Sequence, residues 1–276
     1  MVRPLLSGDG MAGPKPPTLD QVRARIDAVD AELLRLIDER ASLAEQVAAA
    51  KRLTDQAGKF ALRPAREAQV LRRLLALPRR AADPGLIVRI WSELMGQSLN
   101  RQGPFHVAVW GGRGGAARVT ELARQRFGQA VYMHSVDKPE LLLSEAKTLG
   151  GVGVGLLNNE SAWWARLLVE PKLTAFAVLP SLATWGAPEA LAVAEVEMEP
   201  SGEGDETLWV TDSAKQPWEI EIALSGDGVA AKLIAEANGL KLFSLAGFYM
   251  KTDERLARAP GRLTGVIGAA PAPFDL

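Results

Sequence analysis

Cysteine is absent from the 276-residue chain. That excludes disulfides, thiolate metal sites and a cysteine nucleophile. Histidine is scarce as well: only His106 and His134 occur, and neither belongs to a close His–acid cluster, so no metal site is expected. Charge of one sign is lacking too. The formal net charge is -1, which gives no footprint for nucleic-acid binding. Arg63, Arg66, Arg72, Arg73, Arg79 and Arg80 do cluster in the first third, on helices where a solvated face accounts for them. No apolar run is long enough to span a bilayer, and no membrane partner is expected. Residues 1–17 hold Gly, Pro and one short apolar patch but no extended apolar stretch; they read as a disordered tail, not a secretory signal, and point to a cytoplasmic protein. Hydrophobic residues make up 47% of the chain, enough for a sizeable core, and the length allows one or two domains.

From Leu19 onward apolar residues recur in alternating steps of three and four: Leu19, Val22, Ile26, Val29, Leu33, Leu36, then Arg40, then Leu43, Val47 and Ala50. This is a heptad seam on one long helix. Arg40 occupies a seam position with a guanidinium that cannot be neutralised, and no acid on the helix's own seam partners it. Two explanations stand. One is an anionic ligand held inside a helical bundle; the other is an interhelical ion pair or an arginine snorkelling to the bundle edge. Arg23 and Lys51 each follow a seam residue directly. Lys51 lies roughly 16 Å along the helix from Arg40 and faces nearly the same way, whereas Arg23 lies about 42 Å from Lys51. Arg23 and Lys51 cannot serve one site in one straight helix. If both function, Arg23 comes from a second copy, in a homodimer whose long helices run antiparallel.

The first helix is expected from about Leu19 to Leu53, capped by Thr18 or Asp20, with a turn at residues 55–60. A second helix begins near Pro64 and ends before Pro78, with Val70, Leu71, Leu74 and Leu75 on its apolar face. A third has Asp83 as N-cap and Pro84 in its first turn, and stops at Gly103-Pro104. Helices this unequal leave half of the first one's seam exposed unless another chain covers it. After Pro104 the pattern becomes α/β with a mostly parallel sheet. Strands are expected at 105–110, 130–133, 151–157, 173–179, 207–211, 218–224 and 240–249, with helices at 116–127 and 229–238. Residues 180–206 read as loop with one short strand. The expected domains are thus a helical one over 18–103 and an α/β one over 104–276.

On the second helix, Arg66 and Glu67 precede the apolar stripe by one turn. Glu67 suits a first turn through the helix dipole alone. On the third helix the inner face carries Ile87, Trp91, Leu94 and Met95, and continues at helical spacing to Ser98 and Gln102. Two neutral polar groups on that stripe suggest inward hydrogen bonding; fraying at a helix end is the plain alternative.

Together these residues form a set. The segment 18–102 resembles the all-helical (type II) chorismate mutases, in the run VRARIDAVDAELLRLIDERASLAEQVAAAK (22–51), the triplet Ala65-Arg66-Glu67 and the final helix IWSELMGQSLNRQ. The resemblance implies a three-helix domain in an intertwined dimer that binds chorismate and rearranges it to prephenate in aromatic amino-acid (phenylalanine and tyrosine) biosynthesis. It implies that Arg40 and Arg66 hold one substrate carboxylate and that Arg23 reaches the other from the partner subunit. Lys51 and Gln102 would bind the ether oxygen, Glu67 the hydroxyl, and Ser98 would support carboxylate binding. Arg63 departs from the pattern, standing where some members carry an aspartate. The [3,3] rearrangement needs no cofactor, and none is expected. Restraint of the diaxial conformer and stabilisation of charge growing on the ether oxygen are what a protein adds.

For the α/β domain three readings compete. Residues 107–161 resemble the start of prephenate dehydratase, in VAVWGG, Phe127-Gly128 and GVGLLNNES. The Thr207-Leu208-Trp209 triplet resembles that family's Thr-Arg-Phe motif with the arginine replaced. Gly112, Gly114 and Ala117 fit a dinucleotide-binding pattern after a strand, though no acid for the ribose follows residues 130–133. The third reading is a non-catalytic module that binds a pathway amino acid or stabilises the dimer. The expectation is a degenerate dehydratase-like domain in this third role, with a bifunctional mutase–dehydratase as the alternative and a mutase–dehydrogenase after that. A different class for the whole chain is a plain dimerising coiled coil, against which Arg40, Ser98 and Gln102 count.

Overall fold

A computed structural model describes residues 16–53, 60–202 and 204–274, except the side chains of Lys51 and Arg52. Residues 1–15 of the expected tail, residue 54 and residues 55–59 of the expected turn lie outside the described residues.

Helix α1 spans Leu19–Arg52. Thr18 caps it reciprocally with Gln21: the Gln21 backbone N–H donates to Thr18 Oγ1 (3.3 Å) and the Thr18 N–H to Gln21 Oε1 (2.9 Å). Helix α2 is Pro64–Leu75, burying Ala65, Ala68, Leu71 and Leu75. Helix α3 is Pro84–Gln102, and Asp83 caps it by accepting from the Gly85 and Leu86 N–H groups. Its most buried line is Val88, Ser92, Met95 and Leu99; of the Ile87, Trp91, Leu94 and Met95 face read from the sequence, Met95 lies on that line and the other three are half-buried beside it. That difference has a cause: α3 packs on α2 and on the α/β domain, not on α1 alone. The first half of α1 keeps its seam in solvent, with Leu19 64%, Ile26 54% and Leu33 50% exposed. A packed α1–α3 contact carries only its later half.

The rest of the chain builds a nine-stranded sheet. The strands are β1 (His106–Trp110), β2 (Tyr132–Ser135), β3 (Gly151–Leu156), β4 (Thr174–Leu179), β5 (Ala190–Ala194), β6 (Asp205–Thr211), β7 (Ala231–Ala237), β8 (Leu240–Ala246) and β9 (Thr264–Pro271), in the order β2-β1-β3-β5-β4-β9-β6-β8-β7. Pairing is parallel at β1–β2, β1–β3 and β4–β9 and antiparallel at every other junction, so the sheet is mixed. Helices α4 (Ala116–Phe127) and α5 (Pro139–Ala146) cover the first half, and α6 (Pro217–Gly226) covers the second. Strand β6, α6, β7, β8 and β9 in the order β9-β6-β8-β7 form a ferredoxin-like unit whose second helix is reduced to the short turn Glu254–Leu256.

Two elements exchange identity relative to the sequence reading. Residues 218–224 alternate like a strand yet form α6, because Pro217 opens its first turn and Gln216 and Glu219 make a capping box. Residues 229–238 contain good helix formers yet form β7. Asn238 (φ 51°) and Gly239 (φ 76°) close a two-residue type I′ hairpin onto β8, and that turn outweighs local propensity. Strand β9 had no counterpart in the reading.

The helical and α/β parts share one core. Leu62 and Leu99 join Phe105, Val107, Leu122 and Phe127 in a single apolar cluster. At their joint a Cβ on Gly96 would lie 2.0 Å from the Phe127 carbonyl oxygen. Gly96→Ala should therefore force α3 off α4 and cost about 1–3 kcal/mol; thermal melts of the two proteins measure it, and an unchanged melting temperature would contradict the close packing.

Candidate functional site

Arg40 emerges from α1 at the point where that helix first meets α3. Its Nη1 donates to the Leu94 carbonyl (3.0 Å) and to Ser98 Oγ (3.0 Å). The Ser98 hydroxyl in turn donates back to Leu94 O (2.6 Å), a common arrangement for a helical serine. Gln102 sits one turn further on; its Nε2 donates to the Ser98 carbonyl (3.1 Å). Arg101 and Glu45 ion-pair across the same α1–α3 contact.

Arg40 is half-buried, and that burial lowers its pKa from the usual arginine value. No carboxylate pairs with it among the described residues. The interhelical ion pair considered from the sequence is therefore not formed among the described residues. A guanidinium stays charged at any working pH, so the α1–α3 contact presents a fixed cation satisfied only by neutral oxygens.

The other sequence candidates are placed differently. Arg23 lies far along the unaccompanied half of α1, exposed, 3.6 Å from Asp20 of its own helix. Lys51 is within α1, but its side chain lies outside the described residues. Arg66 is exposed on α2. Glu67 is engaged by the α/β domain: its Oε2 accepts from Arg126 Nη2 of α4 at 2.5 Å, with both side chains largely buried. Arg63 is also taken up by the α/β domain, through Glu199 at 3.0 Å. Arg72, which the sequence assigned to a solvated face, reaches Ser201 O and Oγ (2.8 Å each) and Asp205 (3.7 Å). The structure thus brings together Arg40, Ser98 and Gln102, and does not bring Glu67 to them.

In the α/β domain, Thr207 is fully buried. Its hydroxyl donates to Gly247 O and accepts from Tyr249 N, both at 2.8 Å. Leu208 is buried among Trp110, Leu242 and Ile267. The glycine loop after β1 has its Arg113 N–H engaged by Glu160 at 3.1 Å. The chain's two histidines, distant in sequence, converge after all: the parallel β1–β2 pair sets His106 Nε2 and His134 Nε2 at 3.4 and 3.9 Å from Glu145 of α5. Among the described residues no group of three or more His, Asp or Glu is arranged to hold a metal. A cleft of about 1030 Å³ lies elsewhere, between Arg63, Thr148, Lys172, Met198 and Lys251.

Residues 22–103 match the family model of chorismate mutase type II. Three curated relatives are each named bifunctional chorismate mutase/prephenate dehydratase. That of Pseudomonas aeruginosa is 36% identical over 146 residues, covering 52% of this chain and 39% of its own length. That of Stutzerimonas stutzeri is 31% identical over 149 residues, with the same coverages. That of Neisseria gonorrhoeae is 32% identical over 120 residues, covering 42% of this chain and 31% of its own. The chain thus spans well under half the length of these relatives. Among solved structures, a chain described as a novel type of quorum quenching acylase aligns with 62% of this chain and 96% of its own, at a TM-score of 0.36 and 14% identity. A prephenate dehydratase from Streptococcus mutans aligns with 62% and 100%, at 0.34 and 13%. Scores this low bear on neither fold nor function.

Since Arg40 is desolvated without a counter-ion, Arg40→Leu should leave the fold as stable as before or raise its melting temperature. A marked loss of stability on thermal denaturation would mean that the two neutral hydrogen bonds outweigh desolvation.

Proposed function

We propose that this chorismate mutase type II domain converts chorismate to prephenate by the intramolecular [3,3] rearrangement, as a step toward phenylalanine and tyrosine. The observation that carries the reading is Arg40: a half-buried cation with no carboxylate, beside Ser98 and Gln102. A dicarboxylate substrate supplies the missing negative charge. In this reading Arg40 and Arg66 hold one carboxylate, assisted by Ser98, and Arg23 of a second copy holds the other. Lys51 and Gln102 donate to the ether oxygen, whose charge grows as the carbon–oxygen bond breaks, and Glu67 takes the hydroxyl. Donors aimed at charge that develops only in the transition state lower the barrier; uniform binding does not.

The proposed assembly is a homodimer with antiparallel α1 helices. Its support is the run of exposed apolar residues from Leu19 to Leu36, a stripe that solvent alone would not retain. The domain limits we propose are 18–103 for the mutase and 104–276 for the α/β part. No helix of the described residues is long and apolar enough to cross a membrane, and we assign the protein to the cytoplasm.

The α/β domain we read as dehydratase-like in origin and non-catalytic or regulatory. Thr207 has its hydroxyl committed to two backbone groups inside the core, and Leu208 packs in an apolar cluster, so neither faces a substrate. A bifunctional mutase–dehydratase is the second reading, favoured by the names of the three relatives.

Purified protein given chorismate, with products separated by chromatography, tests both. Prephenate alone is expected; phenylpyruvate above the spontaneous background would establish the second reading, and unchanged chorismate would overturn the first. Arg40→Leu should lower kcat/KM at least about 100-fold, as loss of a charge-stabilising donor does. Gln102→Glu should add a requirement for protonation: its rate falls as pH rises through the new carboxyl's pKa, whereas the wild-type amide donates at every pH. Superimposable pH–rate profiles for the two proteins would remove Gln102 from the ether-oxygen role.

A further inference from the structure

Glu67 is the one member of the proposed mutase set whose carboxylate is held by the other domain. It sits with Arg126, Val88, Ser92 and Phe176 around a small cavity between α2, α3, α4 and the ends of β4 and β9. The side chains of the pair are only 12% and 13% exposed, and the Arg126 guanidinium also lies 5.0 Å over the Phe127 ring. Both side chains are mostly withdrawn from water, and their pairing ties α2 to α4.

Ser92 and Ser98 lie about 120° apart around α3. Glu67 shares the Ser92 side, whereas Arg40 binds the Ser98 side. One carboxylate cannot serve both. Helix α2 is fixed on the same side at two further points, by Glu199 on Arg63 and by Ser201 and Asp205 on Arg72.

We infer that Arg126 of the α/β domain withholds Glu67 from the mutase site, so that substrate engages Glu67 only in the fraction of molecules in which this ion pair has opened. The inference rests on the mutase reading above, and it gives the α/β domain a function there without any chemistry of its own. When the binding-competent form is a minor fraction, the affinity measured for a ligand falls by that fraction. Arg126 is thus a positioning residue acting through Glu67.

The test is steady-state kinetics of full-length wild type, Arg126→Gln, Glu67→Gln and the double variant with chorismate, each checked for folding by thermal melt. Arg126→Gln should lower KM by about 3- to 10-fold with little change in kcat. The double variant should match Glu67→Gln alone, because Arg126 has nothing left to withhold. Arg126→Lys, which keeps the charge, guards against a glutamine variant that fails to fold: its KM should lie between wild type and the value for freed Glu67. If wild type forms prephenate and KM is unchanged or raised in the Arg126 variants, the gate is overturned and the mutase reading survives. If neither wild type nor any variant forms prephenate, both fall together.

Discussion

Backbone meets backbone where Gly96 of α3 lies against the carbonyl of Phe127 at the end of α4, and the organisation of the chain follows from that approach. A helix brought so near the α/β domain has one face buried by it, through Val88, Met95 and Leu99. Its remaining face is left to α1, and there Ser98 and Leu94 receive Arg40. Helix α3 is thus a wall with a different chemistry on each side. Helix α2 packs on the buried side of the wall, and its charged residues turn toward the strap at 199–205 and toward α4.

Much of the helical domain was legible because its signals are local. The three–four spacing from Leu19, the prolines at 64 and 84 and the Asp83 cap each act within a turn or two of chain. Arg40 could be singled out for the same reason: it breaks a period. The direction of Glu67 could not, since nothing near it in sequence announces Arg126, almost sixty residues on. The convergence of both histidines on Glu145 was hidden in the same way, being created by strand pairing. The exchange of α6 and β7 had a different origin. The deciding signals, Pro217 with its capping box and the Asn238-Gly239 turn, were present in the sequence, but alternation and helix propensity spoke louder over longer windows.

In the α/β domain the triplet at 207–209 serves the core. The Thr207 hydroxyl closes β6 against the segment at Gly247 and Tyr249. Leucine at 208 turns the neighbouring position into core.

Helix α1 carries a different consequence. Its first half leaves Leu19, Ile26 and Leu33 exposed among the described residues, and isolated helical segments of that size are marginal in water. In the proposed dimer, order there is supplied by the partner, so dilution acts on this segment as a denaturant does: by mass action the helix frays as the partner leaves. Folding of this segment and assembly then become one equilibrium, and the protein's own concentration sets how much of α1 exists as a helix.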